Sequence, residues 1–512
     1  MVGFSQVFTS VSVDHWCAVS EWSDEVDECQ QKDQSLYLSC VHQFRDASIP
    51  LEEKGDNTYS KCSRYDTDYP QDWYEGYYAG NDTNSTGSCE DGWVYDRSQY
   101  KSSAAMEFDL VCDRAYFVDV ELAIYYTGYL IGSFLLGTIS DKFGRFKAYY
   151  ISVTGVTVAG FLIALSPTYW FYCFLRFIQG CANMVYGLAF TIGIEIVGPT
   201  KRALAGTIIC LFYSGGYMLL AVLAYFITEW RLLQITITSC FILCYLYVTI
   251  LPESIRWLLS QKKYDEAERL IRKTARINNK SDKLPSDFMA KLKLEEEELA
   301  EKQKVVESPY VQDLFRTRKL RTNTLNIAFQ WVVNSMVYYG ISLSTSSLGS
   351  NDNIAFFISG AVEIPAYLIC VPVIESFLGR RGSTVIFEVI AGAACISTAF
   401  IPLGIWRVAV GMLGKFCIST SYAVIYIYAA ELFPTPVRAV GIAVCTIASN
   451  FSAIFSALIL ILDQVWTPLP YLAYGSVAFI GGLLAMFLPE TRGKSLPEVL
   501  ETDDKKQRTI HR

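Results

Sequence analysis

Histidine and charge are the scarcest things in this 512-residue sequence. Its three histidines are His15, His42 and His511, the last of them in the C-terminal tail. No HExxH helix for a catalytic zinc exists, and neither a Walker A loop nor a GxSxG elbow occurs. Those absences argue against a zinc peptidase, a nucleotide-driven machine and an α/β-hydrolase, and more broadly against an enzyme. Charged residues make up only 18% of the chain, where a soluble protein carries about a quarter. Length alone would allow several soluble domains, but the polar material to cover them is missing.

What is present instead is apolar sequence, 52% hydrophobic and 14% aromatic with mean hydropathy +0.26. It comes in runs such as "VELAIYYTGYLIGSFLLGTIS" (120–140) and "LLQITITSCFILCYLYVTILP" (232–252). As a helix rising about 1.5 Å per residue, a run of about 20 residues crosses a hydrocarbon core of about 30 Å. Spans are expected near 117–139, 148–166, 168–194, 204–227, 232–251, 322–345, 353–375, 384–402, 405–430, 437–462 and 469–488. The chain therefore reads as an all-α polytopic membrane protein. Residues 1–13 are apolar but too short to cross alone, and they lack the basic start and cleavage site of a secretory signal. They read as the tail of a first span.

Charge orients the chain. Segment 252–321 carries Lys262, Lys263, Arg269, Arg272, Lys273 and Arg276, and the link "SDKFGRFK" (140–147) is also basic. The positive-inside rule puts both in the cytoplasm, and segment 14–115 outside. That outer segment is acidic and offers the sequons Asn81 and Asn84 as glycan sites. It holds six cysteines, Cys17, Cys29, Cys40, Cys62, Cys89 and Cys112, which read as about three disulfides of open pairing. The layout expected is an outer domain at 14–115, a first bundle at 116–251, a linker at 252–321, a second bundle at 322–489 and a cytoplasmic tail at 490–512.

The sequence also repeats itself. "EIVGPTKRA" begins at Glu195 and "ELFPTPVRA" at Glu431 (431 − 195 = 236). Gly144-Arg145 returns as Gly379-Arg380 (379 − 144 = 235), Arg202 as Arg438 (438 − 202 = 236), and "LPES" at Leu251 as "LPET" at Leu488 (488 − 251 = 237). Four landmarks in one order mark a duplication. Two parallel six-helix bundles are the architecture of the major facilitator superfamily. Asp141, Gly144, Arg145, Arg176, Glu195, Arg202, Gly379, Arg380, Glu431 and Arg438 are expected to form a latch holding the cytoplasmic ends of the halves together, with Arg176 shared between that role and helix packing.

These stretches, together with "CEDGWVYD", "GSFLLGTISDKFGR", "FYSGGYMLLAVLAYFITEWR", "LPESIRWLLSQKKYDEAERLIRK", "AVEIPAY" and "LPETRGKSLPE", resemble the organic ion transporter family of that superfamily. The resemblance covers nearly the whole chain. "FYSGGYMLLAVLAYFI" and "GKF" look closest to its carnitine and zwitterion branch. It implies secondary-active transport of organic cations or carnitine-like zwitterions by alternating access, at the plasma membrane. Organic anions, sugars, or a receptor acting through the outer domain are the alternatives. In cation carriers of the family the eleventh span bears an aspartate; here the position is Asn450.

Polar residues inside spans are costly and face a partner or a cavity. Glu363 and Lys415 are the pair expected to hold the two ends of a zwitterion, or each other. Tyr213 and Tyr217 share one helix face, as do Trp331, Asn334 and Tyr338, and Tyr186 and Tyr422 each stand nine residues before a repeated glutamate. Their rings suit an ammonium group. With Asn450 these residues form the expected substrate site. No cofactor is expected; coupling to sodium or protons stays open. The partners are a small organic ion and the lipid bilayer, with no nucleic acid and no readable oligomeric state.

Overall fold

The computed structural model describes residues 2–30, 34–51, 59–70, 77–81, 83–198, 201–249, 251–281, 284–285, 287–294, 311–345, 351–434 and 437–493. The side chains of Arg202 and Asn81 lie outside the described ones, whereas Asn84 is exposed. The chain divides into two compact units. One is Ser5–Val118 with Leu223–Ile235; the other is Met1–Phe4, Asp119–Val222 and Thr236–Arg512.

The smaller unit has little regular structure and is held by cross-links. Strand β1 (His15–Cys17) pairs antiparallel with β4 (Trp93–Tyr95), and β2 (Ser63–Tyr65) with β3 (Thr86–Ser88). Helices α1 (Ser23–Gln30) and α2 (Gln34–Ser48) complete a core centred on Trp22, whose ring meets Phe44, Tyr69 and Tyr77. So small an apolar core needs staples. The six cysteines supply them as Cys17–Cys89, Cys29–Cys40 and Cys62–Cys112. The 223–235 segment belongs here through Glu107, which accepts from Trp230 Nε1 at 2.8 Å and pairs with Arg231.

Among its described residues the larger unit is built from helices joined by turns. Its first half contains α3 (Phe117–Phe143), α4 (Arg145–Ile163), α5 (Tyr169–Ala182), α6 (Val185–Ile196), α7 (Arg202–Phe226) and α8 (Trp230–Ile242). Short helices α9 (Ile255–Ser260) and α10 (Tyr264–Ile277) follow. The second half contains α11 (Arg318–Leu343), α12 (Asp352–Glu375), α13 (Gly379–Phe400), α14 (Ile405–Leu432), α15 (Arg438–Leu460) and α16 (Leu469–Ala485). Among the described residues eight helical stretches are long and apolar enough to cross a membrane, with α5 and α6 counted together as Tyr169–Ile196, and Trp230–Leu246 and Leu469–Ala485 are shorter apolar helices. α11 is long enough too, but Asn326, Gln330 and Asn334 make it more polar.

The span expected at 168–194 is one unbroken run in sequence and two helices in space. It breaks at Asn183 and Met184, where Asn183 Nδ2 donates to the Tyr125 hydroxyl at 2.6 Å. The backbone leaves the helical ladder there, with Asn183 N–H donating to the Gly180 carbonyl at 3.0 Å and Met184 N–H to the Ala182 carbonyl at 2.8 Å.

The duplication is visible at matching turns. α3 passes into α4 through Gly144 at φ 113°, and α12 into α13 through Gly379 at φ 64°. Left-handed backbone of this kind favours glycine. A Cβ would also collide with a carboxylate seated over each turn, Glu253 over Gly144 and Glu490 over Gly379. Glu253 accepts from the Arg145 and Phe146 backbone at 3.0 and 3.2 Å; Glu490 accepts from Arg380 and Arg381, both at 3.0 Å. A remote carboxylate thus caps the N-terminus of α4 and of α13, where the helix dipole favours negative charge.

Candidate functional site

Glu363 of α12 and Lys415 of α14 are both fully buried, 2.9 Å apart. Tyr338 of α11 donates to Glu363 Oε1 at 2.6 Å, and its ring lies 3.4 Å from Lys415 Nζ. Lys415 also donates to Ser342. Ser214 of α7 donates to Glu363 Oε2 at 3.1 Å, so the first half supplies one ligand of a carboxylate carried by the second. Such a buried pair persists only because both charges keep further hydrogen bonds.

The Tyr338 and Tyr217 rings lie 3.4 and 5.6 Å from Lys415 Nζ, and further aromatic contacts extend from them. Tyr217 of α7 stacks on Phe356 of α12 at 4.0 Å and 8°, and Phe4 meets Tyr217 at 5.0 Å. Tyr126 of α3 meets Tyr339 of α11 at 5.2 Å. Trp331 packs on Tyr426 at 4.3 Å, with Tyr422 beside both. Tyr186 packs on Tyr213 at 5.1 Å. Tyr422 bonds Ser449, and Asn450 reaches Ser133 of the first half at 3.4 Å. The structure therefore brings together Glu363 and Lys415, with Tyr217 and Tyr338 beside them and the other expected aromatic residues in contact further along. Sequence reading missed Phe356, Tyr126, Tyr339, Tyr426 and Ser214, whose types are ordinary in any span.

Two expected placements are corrected. Asn334 does not join Trp331 and Tyr338 but turns to α13, donating to Glu388 Oε1 at 2.6 Å. At about 100° per residue these three fan over about 60°, with Asn334 at one edge, from which it reaches α13. Arg176 is apart from the latch group. It is buried on α5 against Glu121 of α3, bonded to Gln179 at 3.2 Å and facing the rings of Tyr125 and Tyr172.

The latch itself is built differently from expectation. Arg145 pairs with Asp141 at 3.0 Å and Glu195 at 3.4 Å; Arg380 pairs with Glu375 at 3.2 Å and Glu431 at 2.9 Å. Every one of these pairs closes within its own half. Arg438 reaches back to the Phe433 carbonyl at 3.3 Å, in its own turn. Arginine and its carboxylates sit on helices of one bundle, so the short reach of each side chain favours local closure.

A duplicated bundle with a buried ion pair where its halves meet is a membrane transporter of the major facilitator fold. Residues 83–502 match the sugar (and other) transporter family. An organic cation transporter protein of Drosophila melanogaster is 39% identical, over 86% of this chain and 81% of its own. Organic cation/carnitine transporter 2 of Mus musculus is 32% identical over 98% of this chain and 87% of its own. Among solved structures, the xylose transporter XylE from E. coli, inward open, superposes with TM-score 0.60 at 18% identity, covering 77% of this chain and 91% of that one. In its partially occluded inward open form the TM-score is also 0.60, with 75% and 90% covered. The chain belongs to the sugar (and other) transporter family, together with the organic cation transporters.

Proposed function

We propose that this transporter moves small organic cations or carnitine-like zwitterions across the plasma membrane by alternating access, with Glu363 and Lys415 at the substrate site. One observation carries the reading: a buried acid and base, flanked by Tyr217 and Tyr338, receive residues from both halves. An incoming ammonium group competes with Lys415 for Glu363, and a carboxylate on the same molecule takes Lys415 in exchange. Desolvated ring faces add about 0.5 to 2 kcal/mol for a cation. A neutral sugar supplies neither charge, so it leaves the pair intact.

The links between halves support a rocking motion. Ser214–Glu363, Tyr217–Phe356 and Tyr126–Tyr339 all lie from the middle of the helices towards the end away from Gly144 and Gly379. At the Gly144 and Gly379 end, the arginine clasps stiffen each half separately. The basic segment 252–321 supports a cytoplasmic location for that end, and the acidic, disulfide-linked unit an extracellular one. Uptake of tetraethylammonium and carnitine into expressing cells tests the proposal. Accumulation above control cells, reduced by Glu363→Gln, supports it; uptake indifferent to that change removes Glu363 from the site.

A further inference from the structure

Glu388 stands near the middle of α13, fully buried, and plays no part in the site above. Its neighbours come from three other helices of the second half. Asn334 of α11 and Ser421 of α14 donate to its Oε1, at 2.6 and 3.4 Å. On α16, Gly481 leaves room for Oε2; a Cβ there would stand 3.1 Å from that oxygen. Oε2 has no hydrogen-bond partner among the described residues.

No cation faces this carboxyl from the helices packed around it. On α11 the basic residues Arg318, Lys319 and Arg321 sit in the first turn, about 20 Å along the helix from Asn334. Lys415 of α14 is held by Glu363, and Arg407 lies over Tyr471. Arg380 and Arg381 belong to the first turn of α13, where Arg380 is held by Glu375 and Glu431. On α14 Glu431 and on α12 Glu375 are thereby accounted for, and α16 offers only Tyr471 and Tyr474 as titratable groups. An ionised carboxylate in such surroundings is uncompensated; the acid, with its proton on Oε2, fits.

Two further observations give the proton a role. The framework carboxylates recur in both halves, but the counterpart of Glu388, counted from Gly144 and Gly379 on the same two helices, is the apolar Val153 (388 − 235 = 153). Glu388 is thus an addition to the repeated frame. Secondly, α11 carries a polar ladder leading to it. Asn326, part-exposed towards the Gly379 end, accepts from Gln330 Nε2 at 3.0 Å, and Asn334 Nδ2 donates to the Gln330 backbone carbonyl at 2.8 Å as well as to Glu388 Oε1. Asn334 stands one turn before Tyr338, the donor to Glu363, and Ser421 directly precedes Tyr422.

We propose that Glu388 is a proton-binding site through which this carrier couples substrate movement to a proton gradient, an inference that rests on the carrier reading. Glu388 exchanges this proton with water when the carrier's motion opens the Gly379 end; the amides of Gln330 and Asn334 orient the carboxyl and do not relay the proton. When it leaves, the carboxylate draws donors from α11 and α14, the helices that bear Tyr338 and Lys415, and so acts on the substrate site.

The test uses the purified full-length protein in liposomes enclosing a pH-sensitive dye, with tetraethylammonium or carnitine outside and membrane potential clamped. Wild type should show uptake that varies with pH, by up to about tenfold per unit for one titrating group, and dye-reported proton movement with substrate. Glu388→Gln, which imitates the protonated acid, should give a flat profile and no proton movement while still exchanging substrate; Glu388→Asp should keep a displaced profile. An unchanged profile in Glu388→Gln overturns the proposal, as does dye-reported proton movement that persists in that variant. The substrate-free melting temperature supplies a second readout. It should fall in alkaline medium for wild type and not for Glu388→Gln, and coincident curves overturn the proton site. Absence of any wild-type uptake counts against the carrier reading, and the melting curves still judge Glu388.

Discussion

Arg145 and Arg380, 235 positions apart (380 − 145 = 235), close the same clasp: Arg145 on Asp141 and Glu195, Arg380 on Glu375 and Glu431. Because each clasp stays inside one half, it makes that half a stiffer body. Rigid halves are what a rocking motion about a central site requires.

Removing a clasp should therefore slow transport more than it weakens substrate binding. For Arg380→Ala the expected loss of stability is about 1.5 to 3 kcal/mol, the worth of hydrogen bonds to a charged group. Uptake kinetics should show reduced maximal rate at little-changed half-saturation, and the melting temperature should fall.

Gly379→Ala tests the turn itself. Left-handed backbone costs a residue with a Cβ about 1 to 2 kcal/mol, and here the Cβ also meets Glu490. The variant should melt earlier than Gly382→Ala, whose Cβ meets only Leu378 at 3.7 Å. Equal melting temperatures would contradict this account of the turn.

Glu363→Gln should abolish most uptake and also destabilise the protein, since it leaves Lys415 buried without its anion. Breaking a buried pair costs about 3 to 5 kcal/mol. Joining it with Lys415→Met should restore the melting temperature but not uptake. Recovery of uptake in the double variant would mean that the charges serve structure alone.

In the smaller unit, acid should act through His15. Burial holds its imidazole below the ordinary value of 6.5, partly countered by the Val13 carbonyl to which Nδ1 donates; Lys61 lowers it further and Asp14 raises it. The unfolded chain then binds the proton more readily. The stability from neutral His15 is complete above pH 6.5 and is lost as pH falls towards the folded value. His15→Phe should flatten the melting temperature of the full-length protein across that window.

The disulfide pairing is open to direct mapping by mass spectrometry of non-reduced peptides. Cys17–Cys89 closes the longest loop, 72 residues in sequence, and its removal should cost about 2 to 5 kcal/mol. Surface expression of Cys17→Ser with Cys89→Ser should fall further than that of a Cys29→Ser and Cys40→Ser variant, whose loop spans 11 residues.

Spans, duplication and glycine turns were legible in the chain because each depends on local chemistry: runs of apolar residues, an Arg after a Gly, a carboxylate at a fixed offset. The helix break at Asn183 and Met184 was not: neither is Gly or Pro, and the Asn183 side chain meets a hydroxyl 58 residues away on another helix. Glu363 and Lys415 announced themselves as charges inside apolar runs; the tyrosines, phenylalanines and serines around them did not.

By itself, then, the sequence determined that this is a doubled helical bundle in a membrane, with an acid and a base at mid-span. Only the tertiary structure decided which cysteines join, that the arginine clasps close within halves, and that Asn334 serves Glu388 rather than the aromatic wall. Those outcomes turn on distances between residues far apart in the chain, and no local pattern encodes them.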